Sequence, residues 1–263
     1  MLHAAGYETA VCPVFAEDAP QMIPEDIKAT TLDAVRSRCS LVVVIGGDGT
    51  ILSAARQLHN ADIPILGVNL GSKGFMAALE PEHMQLIVKA AAGEYTVSRR
   101  MMLDIELERG GEIIYRDKAL NDVVLHGYGD CIRLTAWCAG DRITSFSGDG
   151  IILSTPTGST GYSMSAGGPI VEPSARNLLI TPICAHAMLT KTIVVSPERV
   201  ISVRIGKIGR HNAYLSVDGG RAFRLNTGDV ITTRLSQKVT KLVRLKQTSF
   251  FEILNKKFID RQR

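Results

Sequence analysis

The feature that most constrains this chain is an apolar run, Leu41-Val42-Val43-Val44-Ile45, that meets Gly46-Gly47-Asp48-Gly49-Thr50 with no spacer. An unbroken β-branched run suits a strand covered on both faces, which means a parallel sheet with helices packed over it. The glycines then turn the backbone sharply, and Thr50 to His59 reads as the helix that follows. A strand–turn–helix unit of this kind aims N–H groups and the positive end of a helix at whatever occupies the turn, and so offers an anion site. It is neither a P-loop nor GxGxxG, since no Lys-Ser/Thr and no third spaced glycine follow. Asp48 departs from simple phosphate binding. A carboxylate there repels phosphate unless it handles a proton or a metal, or merely caps the helix.

The flanking sequence repeats the theme. Tyr7 to Val14 reads as a short strand, Pro24 to Arg38 as a helix opened by proline, and Ile63 to Val68 as the next strand. Pro81 to Ala92 reads as a helix stopped by Gly93. Alternating strands and helices imply right-handed crossovers and a parallel sheet. The second turn, Asn69-Leu70-Gly71-Ser72-Lys73-Gly74-Phe75, then leaves at the carboxyl edge, where open α/β sheets bind ligands. Phe75 has two readings, a flank for a flat base or a core ring.

From about Tyr95 the period changes to two. Leu103, Ile105 and Leu107 alternate with Asp104, Glu106 and Glu108, and Ile132 to Ala136, Val203 to Ile205 and Leu242 to Leu245 behave alike. This predicts antiparallel strands with one wet face. Ser249 to Phe258 reads as a short helix with an apolar face at Phe250, Phe251, Ile253 and Leu254. The chain thus divides into an α/β domain over 1–95, joined by the tail 247–263, and a β-rich domain over 96–246.

Composition removes other classes. No apolar run approaches the ~20 residues of a membrane span. The net charge of +4 is scattered, which gives no nucleic-acid footprint but suits an anionic small molecule. Arg99-Arg100 reads as a solvated pair at the domain boundary. Cys12, Cys39, Cys131, Cys138 and Cys184 are odd in number, widely spaced and without CxxC. They predict reduced thiols in the cytoplasm rather than disulfides or zinc. No charged start precedes an apolar segment, so no signal peptide is expected.

Two further segments carry chemistry. Asn121-Asp122 interrupts the apolar stretch Ala119 to Leu125, which means either a bulge or turn, or a ligand bearing hydroxyls. The run from Gly148-Asp149-Gly150 through Ser154-Thr155-Pro156-Thr157-Gly158-Ser159-Thr160-Gly161-Tyr162 to Ala166-Gly167-Gly168-Pro169-Ile170 is dense in glycine and hydroxyls. It carries many donors and little apolar cover, so it is costly to order unless a ligand or the other domain satisfies it.

In this order, the four segments resemble the NAD kinase family. Gly46 to Gly49 is shared with lipid kinases of the same superfamily, whereas the Asn-Asp pair and the long DG…STPTGST-Y…AGGPI run are the NAD kinase pieces. Pro182-Ile183-Cys184-Ala185-His186 and Ser216-Val217-Asp218-Gly219 resemble two later family segments. The resemblance implies a Rossmann-like parallel α/β N-terminal domain, a β-rich antiparallel C-terminal domain and a tail helix returning to the first. It implies phosphoryl transfer from ATP or polyphosphate to the adenosine-ribose 2′-hydroxyl of NAD. Mg²⁺ or another divalent cation would be held through the nucleotide, with no protein ligand assigned. A homodimer or homotetramer is also implied.

By the same resemblance Asp48 is the general base, and Gly46, Gly47, Gly49 and Thr50 take phosphates, with Asp48 and Gly49 also meeting NAD. Asn121 and Asp122 hold ribose hydroxyls. Thr160, Gly161 and Tyr162 pack around the adenine or nicotinamide end, and Phe75 sits at the adenine. Thr157 and Ser165 are lesser contacts, Asp149 binds or supports the site, and Asp218 reaches a neighbouring subunit's ligand. Four departures touch C-terminal detail. Gly161 stands where Ala is frequent, Ala185 where Pro is usual, Lys191 where Arg is common, and Asn255-Lys256 where a Leu-Arg pair is usual.

Two alternatives compete. A lipid kinase of the superfamily would keep Gly46 to Gly49 but needs neither Asn121-Asp122 nor Thr155 to Tyr162. A dinucleotide-binding protein without turnover would lose nothing with Asp48→Asn. The family opens with a strand and helix ahead of a segment like Leu2-His3-Ala4-Ala5-Gly6-Tyr7, so about 25–30 residues are expected to be missing. Either Met1 is a mis-assigned start, or the chain lacks a central strand and leaves a sheet edge beside the Gly46 turn; the expectation is a truncated form, less stable or less active than a longer one.

Overall fold

The computed structural model describes residues 1–12, 28–70, 74–186, 191–209, 212–245 and 249–260, the last three by backbone alone. In chain order come β1 (Ala10–Val11), β2 (Lys28–Ala29), α1 (Leu32–Arg38), β3 (Val42–Ile45), α2 (Asp48–Leu58), β4 (Ile65–Val68) and α3 (Ile87–Ala91). Then follow β5 (Thr96–Arg109), β6 (Glu112–Ala119), β7 (Asp122–Gly127), β8 (Ile132–Cys138), β9 (Asp141–Gly148), β10 (Gly150–Ser154) and α4 (Tyr162–Ser165). The chain continues with β11 (Leu178–Ile183), β12 (Ile193–Val195), β13 (Ile201–Ile205), β14 (Ala213–Val217), β15 (Phe223–Leu225), β16 (Val230–Arg244) and α5 (Phe250–Asp260). It divides into two units, Met1–Arg99 with Thr240–Arg263, and Arg100–Val239.

In the first unit β3 and β4 pair in parallel, from Val42↔Ile65 to Ile45↔Val68. α2 lays Ile51, Ala54, Ala55 and Leu58 against them, a helical stripe of buried positions. Leu66, Val68, Leu79, Ile87, Ala90 and Val243 form the core beside this layer. Four readings need correction here. The end of β16 is parallel, not antiparallel, to its neighbour, with Leu242 opposite Ile65. Leu242 and Val243 are both buried, and alternation alone does not encode strand direction. The helix expected from Pro24 to Arg38 begins only at Leu32, where Thr31 caps it by accepting the Ala34 N–H at 3.3 Å. Lys28–Ala29 instead pairs with Ala10–Val11, which is all that is seen of the strand expected from Tyr7 to Val14; residues 13–27 lie outside the described ones. From Pro81 to Leu86 the backbone forms a tighter 3₁₀ turn, and only Ile87–Ala91 is α-helical before Gly93 at φ +83°.

In the second unit β12-β11-β10-β7-β14-β15 form an antiparallel sheet in that order. β8 lies between β9 and β13, β13 pairs with β16 at Ile201↔Thr233, and β5 pairs with β6, all antiparallel. The alternating residues Leu103, Ile105 and Leu107 share one core with Leu125, Leu134, Ile151, Leu153 and Leu215. Arg100 is buried, so the Arg99-Arg100 pair is not a solvated one; only Arg99 is exposed. Among the described residues no helix is long and apolar enough to cross a membrane.

Candidate functional site

In the first unit the chemistry gathers on Asp48. Gly46 is tied to the sheet by its N–H to the Val68 carbonyl at 2.9 Å, and Gly47 is the N-cap of α2 without a side-chain cap. Asp48 is therefore the first helical residue and not the cap. Its carboxylate turns to the second loop instead: the Phe75 N–H donates to Oδ2 at 2.7 Å and the Met76 N–H to Oδ1 at 3.1 Å. Gly74 is glycine because any Cβ there would overlap this carboxylate. The loop is anchored behind by the Ala78 N–H to the Gly67 carbonyl, 2.9 Å, and by Asn69, whose side chain donates to Glu80 at 3.0 Å. Residues 71–73 of this loop lie outside the described ones. Thr50 and Gly49 sit in the first turn of α2, where the Thr50 N–H donates to the Gly47 carbonyl at 3.0 Å.

Phe75 is half-buried. The Lys257 ammonium stands 4.1 Å from its ring centre and the Phe250 ring lies 6.3 Å away, so α5 already covers part of it. Arg244 reaches the same loop. Its guanidinium donates to the carbonyls of Met76 at 3.2 Å, Ala77 at 3.3 Å and Phe75 at 3.5 Å. Burial pulls this guanidinium below its ordinary pKa, and the Asp48 charge opposes that shift.

In the second unit the turn expected at Asn121-Asp122 is present: Asn121 lies in the bend between β6 and β7 and Asp122 opens β7, and both residues are buried. The corner is organised by Asp218, at φ +48°, whose carboxylate accepts the N–H groups of Leu120 (2.7 Å), Asn121 (2.8 Å) and Asp122 (3.0 Å). Three N–H groups donating to one side chain satisfy a turn that would otherwise bury bare amides. Asp218 thus directs its carboxylate to its own chain's corner. Burial first, then the Asp218 charge, push the Asp122 carboxyl up to about 7.

The hydroxyl-rich run closes over this corner. The Thr155 N–H donates to the Asn121 carbonyl at 2.9 Å and its hydroxyl to the Leu120 carbonyl at 2.6 Å. Gly158 lies so close to the Asn121 peptide that a Cβ would overlap it. The expectation of many unmet donors is corrected. The Ser159 hydroxyl accepts the Val171 N–H at 3.0 Å and donates to the Pro156 carbonyl, 2.7 Å. Thr160 donates to the Thr157 carbonyl at 3.2 Å, and Ser163, Thr181 and Thr192 form a hydroxyl chain with 3.0 and 3.1 Å steps. Short side chains can serve the backbone they sit on, so this loop orders itself. What stays unpartnered is specific: Asn121 Oδ1, Thr157 Oγ1 and Ser154 Oγ are buried without a protein partner. Gly161 faces the Asn121 and Asp122 side chains, its Cβ position 3.4 Å from Asn121 Nδ2 and 3.8 Å from Asp122 Oδ2.

The remaining candidates lie outside these clusters. Tyr162 and Ser165 are exposed on α4. Asp149 is exposed between β9 and β10, with the Cys131 sulfur 4.0 Å from Oδ1. A hydrogen bond to Asp149 pushes the Cys184 thiol above its ordinary value. Sequence reasoning missed Arg244 and the role of Asp218 at the corner. A cation closing the apolar stretch Leu242-Val243 was the signal for Arg244; the Asp218 contacts span 96 to 98 positions and leave no local signal.

Comparison with known proteins covers nearly the whole chain. Residues 4–95 match the ATP-NAD kinase N-terminal domain and residues 99–245 the ATP-NAD kinase C-terminal domain. An NAD kinase of Natranaerobius thermophilus is 37% identical over 243 residues, 91% of this chain and 85% of that protein. One from Geotalea daltonii is 41% identical over 228 residues, 86% and 80%. Among solved structures, yeast NADH kinase complexed with NADH superposes with a TM-score of 0.85 at 27% identity, covering 97% of this chain and 79% of that one. An NAD kinase from Archaeoglobus fulgidus in complex with ATP gives 0.73 at 26% identity, covering 94% and 97%.

Proposed function

The chain belongs to the NAD kinase family, and from that premise we propose that it transfers the γ-phosphoryl group of ATP to the adenosine-ribose 2′-hydroxyl of NAD. A bond forms between the ribose oxygen and the γ-phosphorus, the bond to the β-phosphate oxygen breaks, and NADP and ADP leave. The proton of the 2′-hydroxyl passes to the Asp48 carboxylate. Two backbone N–H groups orient that carboxylate, at 2.7 and 3.1 Å, and each oxygen keeps a lone pair free for the proton. Gly46, Gly47, Gly49 and Thr50 receive phosphate at the opening turn of α2.

The observation that carries the reading is the pair of buried, unpartnered oxygens Asn121 Oδ1 and Thr157 Oγ1. Ribose hydroxyls supply the partners such atoms lack, and an acyl chain does not. This favours a nucleotide acceptor over a lipid. By the family resemblance Phe75 sits at the adenine, Thr160, Gly161 and Tyr162 pack around the adenine or nicotinamide end, Ser165 is a lesser contact, and Asp149 and Asp218 support the site. The proposed transfer takes a divalent cation held mainly by nucleotide oxygens, as the family resemblance implies. When bound, Mg²⁺ neutralises phosphate charge. Free cysteines fit a reducing, cytoplasmic setting, and a homodimer or homotetramer is the assembly expected.

The test is formation of NADP by the purified protein with ATP-Mg²⁺, run beside polyphosphate as donor and diacylglycerol as acceptor. NADP with ATP and unlabelled lipid is the expected result. Labelled lipid with no NADP would overturn the reading, and light scattering reads the assembly.

A further inference from the structure

We propose that Arg244 is a positioning residue for the Asp48 carboxylate, acting through the peptide units of residues 75–77. The inference rests on the reading of Asp48 as the base. Phe75 O and Met76 N belong to one planar trans peptide, so its C=O and N–H point in opposite directions. Its carbonyl accepts from Arg244 Nη2 at 3.5 Å and its N–H donates to Asp48 Oδ1 at 3.1 Å. Cation, peptide dipole and anion are thus in line, each end strengthening the other. Nη1 takes the next two carbonyls, Met76 and Ala77, at 3.2 and 3.3 Å. Three consecutive carbonyls on one rigid fork fix the loop's rotation and with it the direction of the N–H groups that hold Asp48.

Both ends of this brace are anchored. Asp48 opens α2, whose stripe of Ile51, Ala54 and Leu58 is buried. Arg244 follows Leu242, which is paired with Ile65, and its own carbonyl accepts from the Thr96 hydroxyl at 3.3 Å. The Lys257 ammonium over Phe75 and the Phe250 ring beside it steady the same loop from α5. Desolvating a guanidinium is costly, and an apolar side chain would leave three carbonyls without these donors. An ammonium has no planar fork and serves fewer carbonyls from one place.

The test compares Arg244→Lys, Arg244→Met and Asp48→Asn, alone and combined, in the full chain. Misplacing a reacting group by about 1 Å costs up to about 10²-fold in rate. The expected fall in kcat is about 30-fold for Arg244→Met and about 5-fold for Arg244→Lys, with KM for NAD and ATP within about 2-fold. On the Asp48→Asn background Arg244→Met should remove no more than about a further 2-fold, because the group it positions is gone. Losses that multiply would overturn the proposal. A second readout is independent of turnover. In Arg244→Lys the Met76 amide proton should move upfield more than that of Phe75, whereas Asp48→Asn should move both. Met76 and Phe75 resonances unchanged in Arg244→Lys would equally sink it. If Asp48→Asn keeps full kcat, the reading of Asp48 as base fails, and the amide shifts alone still decide whether Arg244 braces the carboxylate.

Discussion

The Asp48 turn and the Asn121-Asp122 corner both present a carboxyl group where a strand meets a loop, yet their hydrogen bonds are arranged in opposite ways. Each oxygen of Asp48 accepts a protein N–H, and the loop that donates them is held from behind by Arg244. At the corner the backbone donors go to Asp218, while Asn121 Oδ1 and Thr157 Oγ1 stay buried without a protein partner. A buried unmet polar atom costs about 1–3 kcal/mol, a cost that a ligand removes when it binds. On the proposed function, the difference separates a group that is held in place from a receptacle that NAD completes. Changes at the first should alter rate, and changes at the second affinity.

The largest expected effect tests the first half. Asp48→Asn should lower kcat by about 10²- to 10⁴-fold while KM for NAD stays within about 3-fold. The amide also sets an NH₂ against one of the Phe75 or Met76 N–H groups, so some of the loss is geometric. A raised KM with kcat intact, seen in steady-state NADP formation, would merge the two regions into one kind of site. Next comes Asp218→Ala, which strips the corner of its acceptor for three N–H groups. Unfolding in urea should show a loss on the order of 3 kcal/mol, because water reaches part of the opened corner. An unchanged midpoint would mean that the corner does not depend on Asp218.

The pH dependence is smaller and has a definite sign. Burial and the Asp218 charge raise the Asp122 carboxyl from its ordinary 3.8 to about 7 in the folded chain. The folded state therefore holds the proton more tightly than the unfolded one. The stability this gives is fully present below about pH 4 and is lost as pH rises through about 7. Urea midpoints at pH 5 and pH 8 should differ, with the protein weaker at pH 8, and Asp122→Asn should flatten that difference. An equal slope in the variant would place the titration elsewhere.

How much of this was legible in the sequence follows from range. The run Leu41 to Thr50 encodes its strand, turn and helix within a few residues, and β3 and α2 lie close to where the pattern puts them. The alternation at Leu103, Ile105 and Leu107 likewise marks one buried face. The alternation over Leu242 to Leu245 does not give the strand's direction, because period two is common to both strand arrangements, and only the pairing with Ile65 decides. The candidate residues at 46–50 and 121–122 are visible as polar or glycine breaks in apolar sequence. That Asp48 faces Phe75 and Met76, and that Asp218 holds residues 120–122, depends on chain crossings that no local pattern encodes. The hydroxyl run misled because composition does not reveal whether a serine or threonine serves its own loop.

The smallest effect gives the closest test of the receptacle. Thr157→Val keeps the branched shape and removes a buried hydroxyl whose oxygen has no protein partner. With no bond to lose, the unliganded protein should hold its stability or gain up to about 1 kcal/mol, since the hydroxyl no longer has to be desolvated. NAD loses one hydrogen bond, normally about 0.5–1.5 kcal/mol, so KM should rise about 3- to 10-fold at nearly constant kcat. Because the same oxygen is a burden when free and an asset when bound, the two changes must run in opposite directions. Measured together by urea unfolding and NAD saturation, a fall in stability with an unmoved KM would make Thr157 a structural hydroxyl like Ser159. The receptacle would then shrink to Asn121 and Asp122.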